Sequence, residues 1–331
     1  MFPESFLEEL SARNDIADVV GSYVSLTPKG GNLWACCPFH NEKTPSFSVS
    51  PAKQIYHCFG CKKGGGVINF VMEMENLSFP EAVHFLAKRV NMEVPEDADS
   101  RGNDRSRQRL LDLNRDAARY YYEVLQSPEG AAVQAYLDKR QIRKSIAVRF
   151  GMGASTPNWD DLIRAMTAKG YTKAELLKAG LAVQNKNGGL YDFFRNRLIL
   201  PVIDVRGNVI GFSGRILGDG EPKYLNSRET PVFVKGSNLF GLNIAKKSKS
   251  GYIILVEGNV DVVTLHQAGF DSAVASLGTS LTGEQARLIS RYTSEVVIAY
   301  DNDGAGQKAA KRAIEILRPL DLGVRVLQMD G

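Results

Sequence analysis

The 331-residue sequence has few cysteines and histidines, four of each, and no apolar run of transmembrane length. A membrane-spanning helix needs about 20 predominantly apolar residues, so no membrane span is expected. The opening stretch, MFPESFLEELSARND, is acidic and has no apolar segment, which argues against a secretory signal peptide. All four cysteines lie between positions 36 and 61, whereas a secreted disulfide scaffold would spread more cysteines over a smaller chain. We therefore expect a cytoplasmic protein whose cysteines bind metal.

Several common phosphate and calcium motifs are also missing. The sequence contains no Walker A motif, and GMGAST lacks the third glycine of a dinucleotide-binding loop. Aligned with an EF-hand loop, DNDGAG places Ala305 at the fifth position and Arg312 at the twelfth, where calcium needs oxygen ligands. The sequence therefore favours neither a P-loop, a Rossmann domain nor an EF-hand.

Charge is unevenly distributed along the chain. The overall net charge is +4, but residues 1–138 carry −5, residues 139–250 carry +12 and residues 251–331 carry −3. A basic middle between acidic ends predicts a phosphate-rich partner held against the centre of the chain. The alternative interpretation is an ordinary solvated basic face.

The cysteines form two short knuckles. Cys58-Phe59-Gly60-Cys61 is a C-x2-C pair, and Cys37 with His40 gives the same spacing. Cys36 would give a longer spacing and, on a strand, would point to the opposite face. The sequence therefore predicts a closed, structural Cys3His zinc site on a zinc ribbon, formed by Cys37, His40, Cys58 and Cys61.

The remaining pattern predicts an α+β chain of several domains. Residues 95–109 contain almost no hydrophobic side chain, which predicts a flexible linker. After residue 250, short β-branched runs alternate with helical patterns, as in a parallel sheet covered by helices. The predicted order is a zinc ribbon over 1–94, the linker over 95–109, a mixed α/β basic subdomain over 110–245 and an α/β parallel-sheet subdomain over 246–331.

Carboxylates follow two strands of this last subdomain. The run YIILVE ends at Glu257, EVVIAY is followed by Asp301 and Asp303, and Asp261 lies one helical turn beyond Glu257. Because ligands of open α/β sheets bind at the carboxyl ends of the strands, we expect these side chains to meet there. Oxygen ligands near a phosphate-binding surface favour Mg²⁺ or Mn²⁺. The alternative is that these aspartates only cap helices and turns.

The motifs together resemble one protein family. LVEGNVDVV and AYDNDGAG resemble the two signature motifs of the Toprim fold. CPFHNEKTPSFSV followed by YHCFGC resembles the zinc-binding domain of bacterial replicative primases of the DnaG type. FRNRLILPVIDVRGNVIGFSGRILGDGEPKYLNS resembles the basic segment of that family's RNA polymerase domain.

This resemblance implies a DNA-dependent RNA polymerase that makes short RNA primers on single-stranded DNA from ribonucleoside triphosphates. It assigns the catalytic acidic cluster to Glu257, Asp261, Asp301 and Asp303, of which Glu257, Asp301 and Asp303 bind Mg²⁺ or Mn²⁺. It assigns phosphate and template contacts to Arg149, Arg195, Arg197, Arg215, Lys223 and Lys235. Two alternatives stay open: another Toprim enzyme, such as a topoisomerase or nuclease, and a non-enzymatic single-stranded-DNA-binding module.

The resemblance also sets expectations beyond this sequence. In the family, a further acidic pair, a helical subdomain and a helicase-binding domain follow the last strand seen here. We therefore expect the chain to be a fragment with a truncated Toprim subdomain, and the replicative helicase to bind through a domain that it lacks.

Overall fold

The computed structural model describes residues 2–75, 77–94, 98–218, 220–278 and 280–327, and only the backbone over 98–104. The chain divides into two compact units. The first comprises Met1–Arg105 with Arg318–Leu322, and the second comprises Ser106–Leu317 with Gly323–Gly331. Within the described residues, every helix is too short or too polar to cross a bilayer.

The first unit is a zinc ribbon packed against helices, as predicted. Its sheet is antiparallel, in the strand order β1-β2-β3-β4-β5. The elements in chain order are α1 (Glu4–Arg13), α2 (Ile16–Gly21), β1 (Thr27–Lys29), β2 (Asn32–Ala35), β3 (Phe47–Ser50), β4 (Ile55–Cys58), β5 (Gly64–Gly65), α3 (Val67–Glu75) and α4 (Phe79–Arg89).

Aromatic rings join the ribbon to its helices. Phe39, Phe47 and Tyr56 are buried on one face of the sheet, and each has its ring centroid within 6.2 Å of that of Phe70 on α3. Such ring pairs add to the free energy gained from burying apolar area. These three ribbon aromatics are therefore core residues.

Helix α5 spans Ala98–Gln126 and differs from the predicted flexible linker over 98–109. Residues 95–97 lie outside the described residues. The predicted linker is rich in charged and polar residues, and arginine and glutamine are good helix formers without an apolar partner. Arg109 further fixes its part of α5 by donating to Glu175 and to the carbonyl of Gly170. Polar composition therefore did not distinguish a solvated helix from a linker.

The first part of the second unit is a mixed α/β subdomain. Its main sheet is antiparallel in the order β11-β10-β9-β6, and β7 pairs with β8. Its elements after α5 are α6 (Ala131–Lys139), α7 (Lys144–Arg149), β6 (Gly153–Ser155), α8 (Asp161–Ala168), α9 (Lys173–Lys178), β7 (Ala182–Gln184), β8 (Leu190–Asp192), β9 (Arg197–Ile203), β10 (Val209–Ile216), β11 (Tyr224–Asn226) and α10 (Leu242–Ala245), with short 3-10 turns at Pro128–Gly130 and Lys235–Ser237.

The second part is the parallel α/β subdomain that the sequence predicts. Its strand order is β13-β12-β14-β15, and all neighbouring strands are parallel. The elements are β12 (Ile253–Val256), α11 (Asn259–Gln267), β13 (Ala273–Ala275), α12 (Gly283–Ser290), β14 (Glu295–Ile298), α13 (Gly304–Leu317), the 3-10 turn Arg318–Leu320 and β15 (Gly323–Val326).

One hydrophobic core runs through both parts of the second unit. It combines buried residues of β9, such as Leu200, with residues of β12 and α11, such as Val256 and Val262. Phe240 also exchanges two backbone hydrogen bonds with Ala275 on β13, at 2.9 and 3.1 Å. The basic segment and the parallel sheet are therefore packed together around one core, which fixes the position of one relative to the other.

Candidate functional site

The zinc ligands predicted from spacing meet in one cluster. Ligand atoms of Cys37, His40, Cys58 and Cys61 all lie within 4.8 Å of one another. Among the described residues, no other group of three or more potential ligands is as compact. Cys36 is exposed and lies outside the cluster. The donor set is the one that structural zinc prefers.

Distances between donors fit a tetrahedral ion. The Sγ atoms of Cys37 and Cys61 are 3.8 Å apart, as are Cys58 Sγ and His40 Nδ1. Zinc–sulfur bonds of about 2.3 Å and tetrahedral angles give a sulfur–sulfur edge of about 3.8 Å. We therefore interpret these contacts as edges of a metal site rather than as thiol hydrogen bonds.

Glu42 is not one of the four ligands, but it accepts hydrogen bonds from residues around the cluster. The spacing of the cysteines and the histidine did not predict this role. The Glu42 carboxylate accepts from the amides of Cys37 (2.7 Å) and Ser46 (3.0 Å) and from the Ser46 hydroxyl (2.5 Å). Its Oε2 lies 3.2 Å from His40 Nε2, so this ring nitrogen donates and Nδ1 is left for metal. Burial opposes its ionisation, but the hydrogen bonds from Ser46 and Cys37 lower the pKa of Glu42 overall.

Gly60 in the second knuckle is required for space. A Cβ at this position would lie 2.7 Å from His40 Nε2, closer than carbon and nitrogen tolerate. Gly60 itself does not have the positive φ that favours glycine in a turn. The left-handed residue in this segment is instead Lys62, with a φ of 63°.

Replacing Glu42 by glutamine should weaken zinc binding by about 10- to 100-fold, the usual effect of losing an outer partner of a histidine ligand. The change removes the negative charge that orients His40. Chelator competition measures the zinc dissociation constant, with Glu8→Gln on the exposed side of α1 as the matched control. An unchanged dissociation constant for Glu42→Gln would show that Glu42 supports only the loop.

The predicted acidic edge also forms. Strands β12 and β14 are parallel neighbours with Leu255 opposite Ile298, so Glu257 and Asp301 follow at the same edge. The amide of Asp301 donates to Glu257 Oε1 at 3.2 Å. Both carboxylates are exposed and therefore accessible to a ligand.

Asp303 and Asp261 lie where the helices that follow these two strands begin. Asp303 Oδ1 accepts from the amide of Gly306 at 2.7 Å and so caps α13, as the alternative interpretation of this motif suggested. Asp261 is in the first turn of α11. The carboxylates are not packed as tightly as the zinc ligands. Such an open set suits a magnesium ion that retains waters and also binds substrate phosphates.

Two of the carboxylates, Glu257 and Asp261, have raised pKa values. Partial burial, followed by the charges of Asp301, Asp303 and Asp261, raises the pKa of Glu257. Burial and Asp301 raise the pKa of Asp261, although the nearby charges of Arg140 and Lys223 lower it. Crowded carboxylates with raised pKa values are the arrangement that a bound cation relieves.

Two glycines allow the edge to assemble. A Cβ on Gly306 would lie 2.8 Å from Glu257 Oε1 and would also overlap the Asp301 backbone. A Cβ on Gly258 would overlap the Asp261 carboxylate. Both glycines belong to the quoted motifs, but only the structure shows that they make room for these acids.

The predicted basic residues occupy different environments. Arg195 is half-buried, with its guanidinium carbon 4.1 Å from the ring centroid of Trp159 and 5.0 Å from that of Tyr191. Lys223 is exposed, and its charge acts on Asp261. Lys235 lies in a 3-10 turn, and its backbone carbonyl accepts a hydrogen bond from the side-chain amide of Gln285 at 3.1 Å.

Two residues predicted to contact phosphate, Arg197 and Arg149, have other surroundings in the structure. Arg197 is only 5% exposed and donates to the carbonyls of Gly214 and Pro222, so its guanidinium is used inside the subdomain. Arg149 is exposed, but its charge acts on His266, whose ring contacts Ala273 at the amino end of β13. The acidic residues follow the carboxyl ends of the strands, so the structure does not bring Arg149 to them.

Arg215 and Arg140 complete the basic surroundings. The Arg215 guanidinium lies 4.3 Å from the ring centroid of Tyr136, and that of Arg140 lies 5.7 Å from the same ring. No sequence pattern pointed to Arg140, because only the fold brings its charge near Asp261.

Comparison with known protein families covers almost the whole chain. Three family models match in succession: a CHC2 zinc finger over residues 2–102, the N-terminal domain of the DNA primase catalytic core over 120–246, and a Toprim domain over 251–328. The DNA primase of Clostridium acetobutylicum is 48% identical over 99% of this chain and 55% of its own length. That of Escherichia coli K12 is 43% identical over 96% of this chain and 55% of its own. The chain thus spans about half the length of the curated relatives that it matches.

Solved structures agree with this relationship. The zinc-binding and RNA polymerase domains of the Aquifex aeolicus primase are 37% identical, with a TM-score of 0.63 over 98% of this chain and 79% of that one. A DnaG primase catalytic domain bound to single-stranded DNA is 39% identical, with a TM-score of 0.65 over 69% of this chain and 76% of that one. Because its zinc ribbon, its basic subdomain and its parallel-sheet subdomain all match this family, the chain belongs to the DnaG family of bacterial DNA primases.

Proposed function

We propose that this chain synthesises short RNA primers on single-stranded DNA from ribonucleoside triphosphates. The observation that carries this proposal is the acidic edge formed by Glu257 and Asp301, which shares one core with the basic subdomain that holds Arg140 and Lys223. Cations beside crowded carboxylates suit a metal-bound triphosphate, because phosphate oxygens pair with the cations while the carboxylates hold the metal.

The residues divide the work between holding metal and holding phosphate. Glu257, Asp301 and Asp303 are the oxygen donors for Mg²⁺ or Mn²⁺, and Asp261 adjusts the charge beside them. The divalent metal, when bound, supplies Lewis acidity for attack of a 3′-hydroxyl on an α-phosphate and for departure of pyrophosphate. Lys223, Arg140 and Arg215 hold and orient the anionic substrate, so little proton chemistry is asked of side chains.

The open face of the ribbon is a second surface suited to unpaired template bases. Trp34 and Phe59 are stacked with their ring centroids 5.8 Å apart, and Phe59 is largely exposed. Lys29 Nζ lies 5.8 Å from the Trp34 centroid. Exposed rings with an adjacent cation favour stacking of single-stranded bases. The replicative helicase as a partner, and a cytoplasmic location, remain predictions of the family resemblance.

The test is RNA synthesis on a single-stranded DNA template without a primer, in the presence of Mg²⁺ or Mn²⁺. We expect template-dependent, alkali-labile products. The assay uses a chimera in which this chain continues into the part of the C. acetobutylicum primase that it does not cover. A covalent DNA adduct on tyrosine would favour a topoisomerase, DNA cleavage would favour a nuclease, and binding without incorporation would favour a non-enzymatic module.

A further inference from the structure

Tyr136 on α6 lies among cations that the proposed function needs. Its ring centroid is 4.3 Å from the guanidinium carbon of Arg215 and 5.7 Å from that of Arg140. The ring centroid of Tyr224 lies 5.9 Å from the same guanidinium carbon of Arg215, and Lys223 Nζ lies 6.0 Å from that ring. Three cations and two aromatic rings thus form a ladder.

The two arginines have few protein partners. Within the described part of the chain, neither Arg140 nor Arg215 has a carboxylate within ion-pair distance. Arg215 Nε is buried without an acceptor, and its Nη1 reaches only the carbonyl of Ile216, at 3.4 Å. A buried guanidinium nitrogen with no acceptor is costly unless a ligand supplies one.

The strand that carries Tyr224 contacts the edge of the parallel sheet at which the carboxylates lie, because Asn226 on β11 donates to the carbonyl of Leu277, just after the carboxyl end of β13. The charges of Arg140 and Lys223 both act on the Asp261 carboxyl. An anion bound to the ladder therefore lies beside the residues proposed to hold the metal. A triphosphate fits this position better than a template backbone, because its oxygens can contact the guanidinium groups and a metal at once.

We propose that Tyr136 is a positioning residue that holds Arg215 and Arg140 ready for the triphosphate of the incoming nucleotide. The negative face of its ring attracts both guanidinium groups and so offsets their mutual repulsion. The ring rather than the hydroxyl does this, since the hydroxyl is buried without a hydrogen-bond partner in the described part of the chain. This inference rests on the proposed function and names a residue that brings its cations together.

The experiment measures binding of a nucleoside triphosphate and of tripolyphosphate, each with Mg²⁺, by titration calorimetry. Tyr136→Leu keeps apolar bulk but removes the aromatic face, and we expect its dissociation constants to rise about 3- to 30-fold, the range that a cation–π contact supports. Tyr136→Phe should retain the affinity of the parent within about twofold, because it keeps the ring. Tyr252→Leu, a tyrosine packed on the same core and without a described cation over its ring, is the control for lost packing.

The outcomes separate this inference from the proposed function. Parental affinity in Tyr136→Leu, in a parent that binds nucleotide, overturns the role of Tyr136 and leaves the proposed function standing. A parent that binds no triphosphate overturns the proposed nucleotide site itself. Weaker binding of oligodeoxythymidine with unchanged tripolyphosphate binding assigns the ladder to template phosphates and also overturns the inference. Tyr136→Leu could lower the melting temperature far more than Tyr252→Leu does. In that case the same binding measurements are made on Tyr136→Met, whose unbranched side chain fills the space of the ring, and the same outcomes apply.

Discussion

Replacement of Cys58 by serine is expected to eliminate bound zinc and to unfold the first unit. Cys58 is fully buried, and its Sγ also accepts from the amide of Cys61 at 3.4 Å. Structural zinc contributes about 10–16 kcal/mol of apparent binding free energy, as much as the whole stability of an ordinary domain. Without the metal, the ribbon cannot offset the entropy of ordering its loops.

The loss should extend beyond the ribbon. Phe39, Phe47 and Tyr56 pack on Phe70, so unfolding of the strands exposes α3 as well. Hydrogen exchange should therefore rise over Val67–Glu75 together with the strands. The second unit has its own core and should remain folded.

Atomic emission gives the zinc content, and Cys36→Ser is the matched control. It makes the same chemical change one residue before the cluster, on an exposed side chain, and should retain one zinc per chain. A Cys36→Ser protein without zinc, or a Cys58→Ser protein with it, would contradict the ligand assignment.

Replacement of Glu257 by glutamine is expected to lower primer synthesis on the order of 100-fold or more, because one charged metal donor is lost. Binding of single-stranded DNA should be retained or slightly stronger, since a charge that repels phosphate is removed. Glutamine keeps an oxygen that can accept from the amide of Asp301, so the strand edge should stay in place.

The same substitution should stabilise the metal-free chain at neutral pH. Burial and the neighbouring aspartates raise the pKa of Glu257, so the folded state binds its proton more tightly than the unfolded chain does. Ionisation at neutral pH therefore lowers the free energy of unfolding. This loss declines as the pH falls from the raised pKa of the folded state to the ordinary pKa of the unfolded chain. The difference in melting temperature between Glu257→Gln and the parent should shrink over that interval, and Mg²⁺ should also reduce it.

Glu284→Gln is the matched control, because it neutralises another exposed glutamate in the same subdomain, on α12. Synthesis is measured in the chimera described above, and melting temperature in the chain itself. If Glu257→Gln makes primers at the parental rate with either Mg²⁺ or Mn²⁺, Glu257 is not a metal ligand of the reaction.

Local patterns predicted the zinc site and the two halves of the acidic edge. Equal C-x2-C and C-x2-H spacings fix ligand geometry within a few bonds, so Cys37 could be distinguished from Cys36 without knowledge of the fold. Likewise, Glu257 and Asp301 follow buried strands, and parallel strands bring their carboxyl ends to one edge. Helix formation over 98–109 could not be predicted in this way, because a polar segment is compatible with either a linker or a solvated helix.

Contacts between distant residues were decided by the tertiary structure alone. The sequence determined the charge of Arg197, but the packing of β9 and β10 buries it against Gly214 and Pro222. The fold brings Tyr136 on α6 to Arg215 on β10, 79 positions away, and no local spacing encodes that contact. The sequence by itself determined which chemical groups this protein carries and which short motifs can bind metal. Which cations face the acidic edge depends on how the shared core packs, since burial of apolar surface fixes the positions of elements that are far apart in the chain.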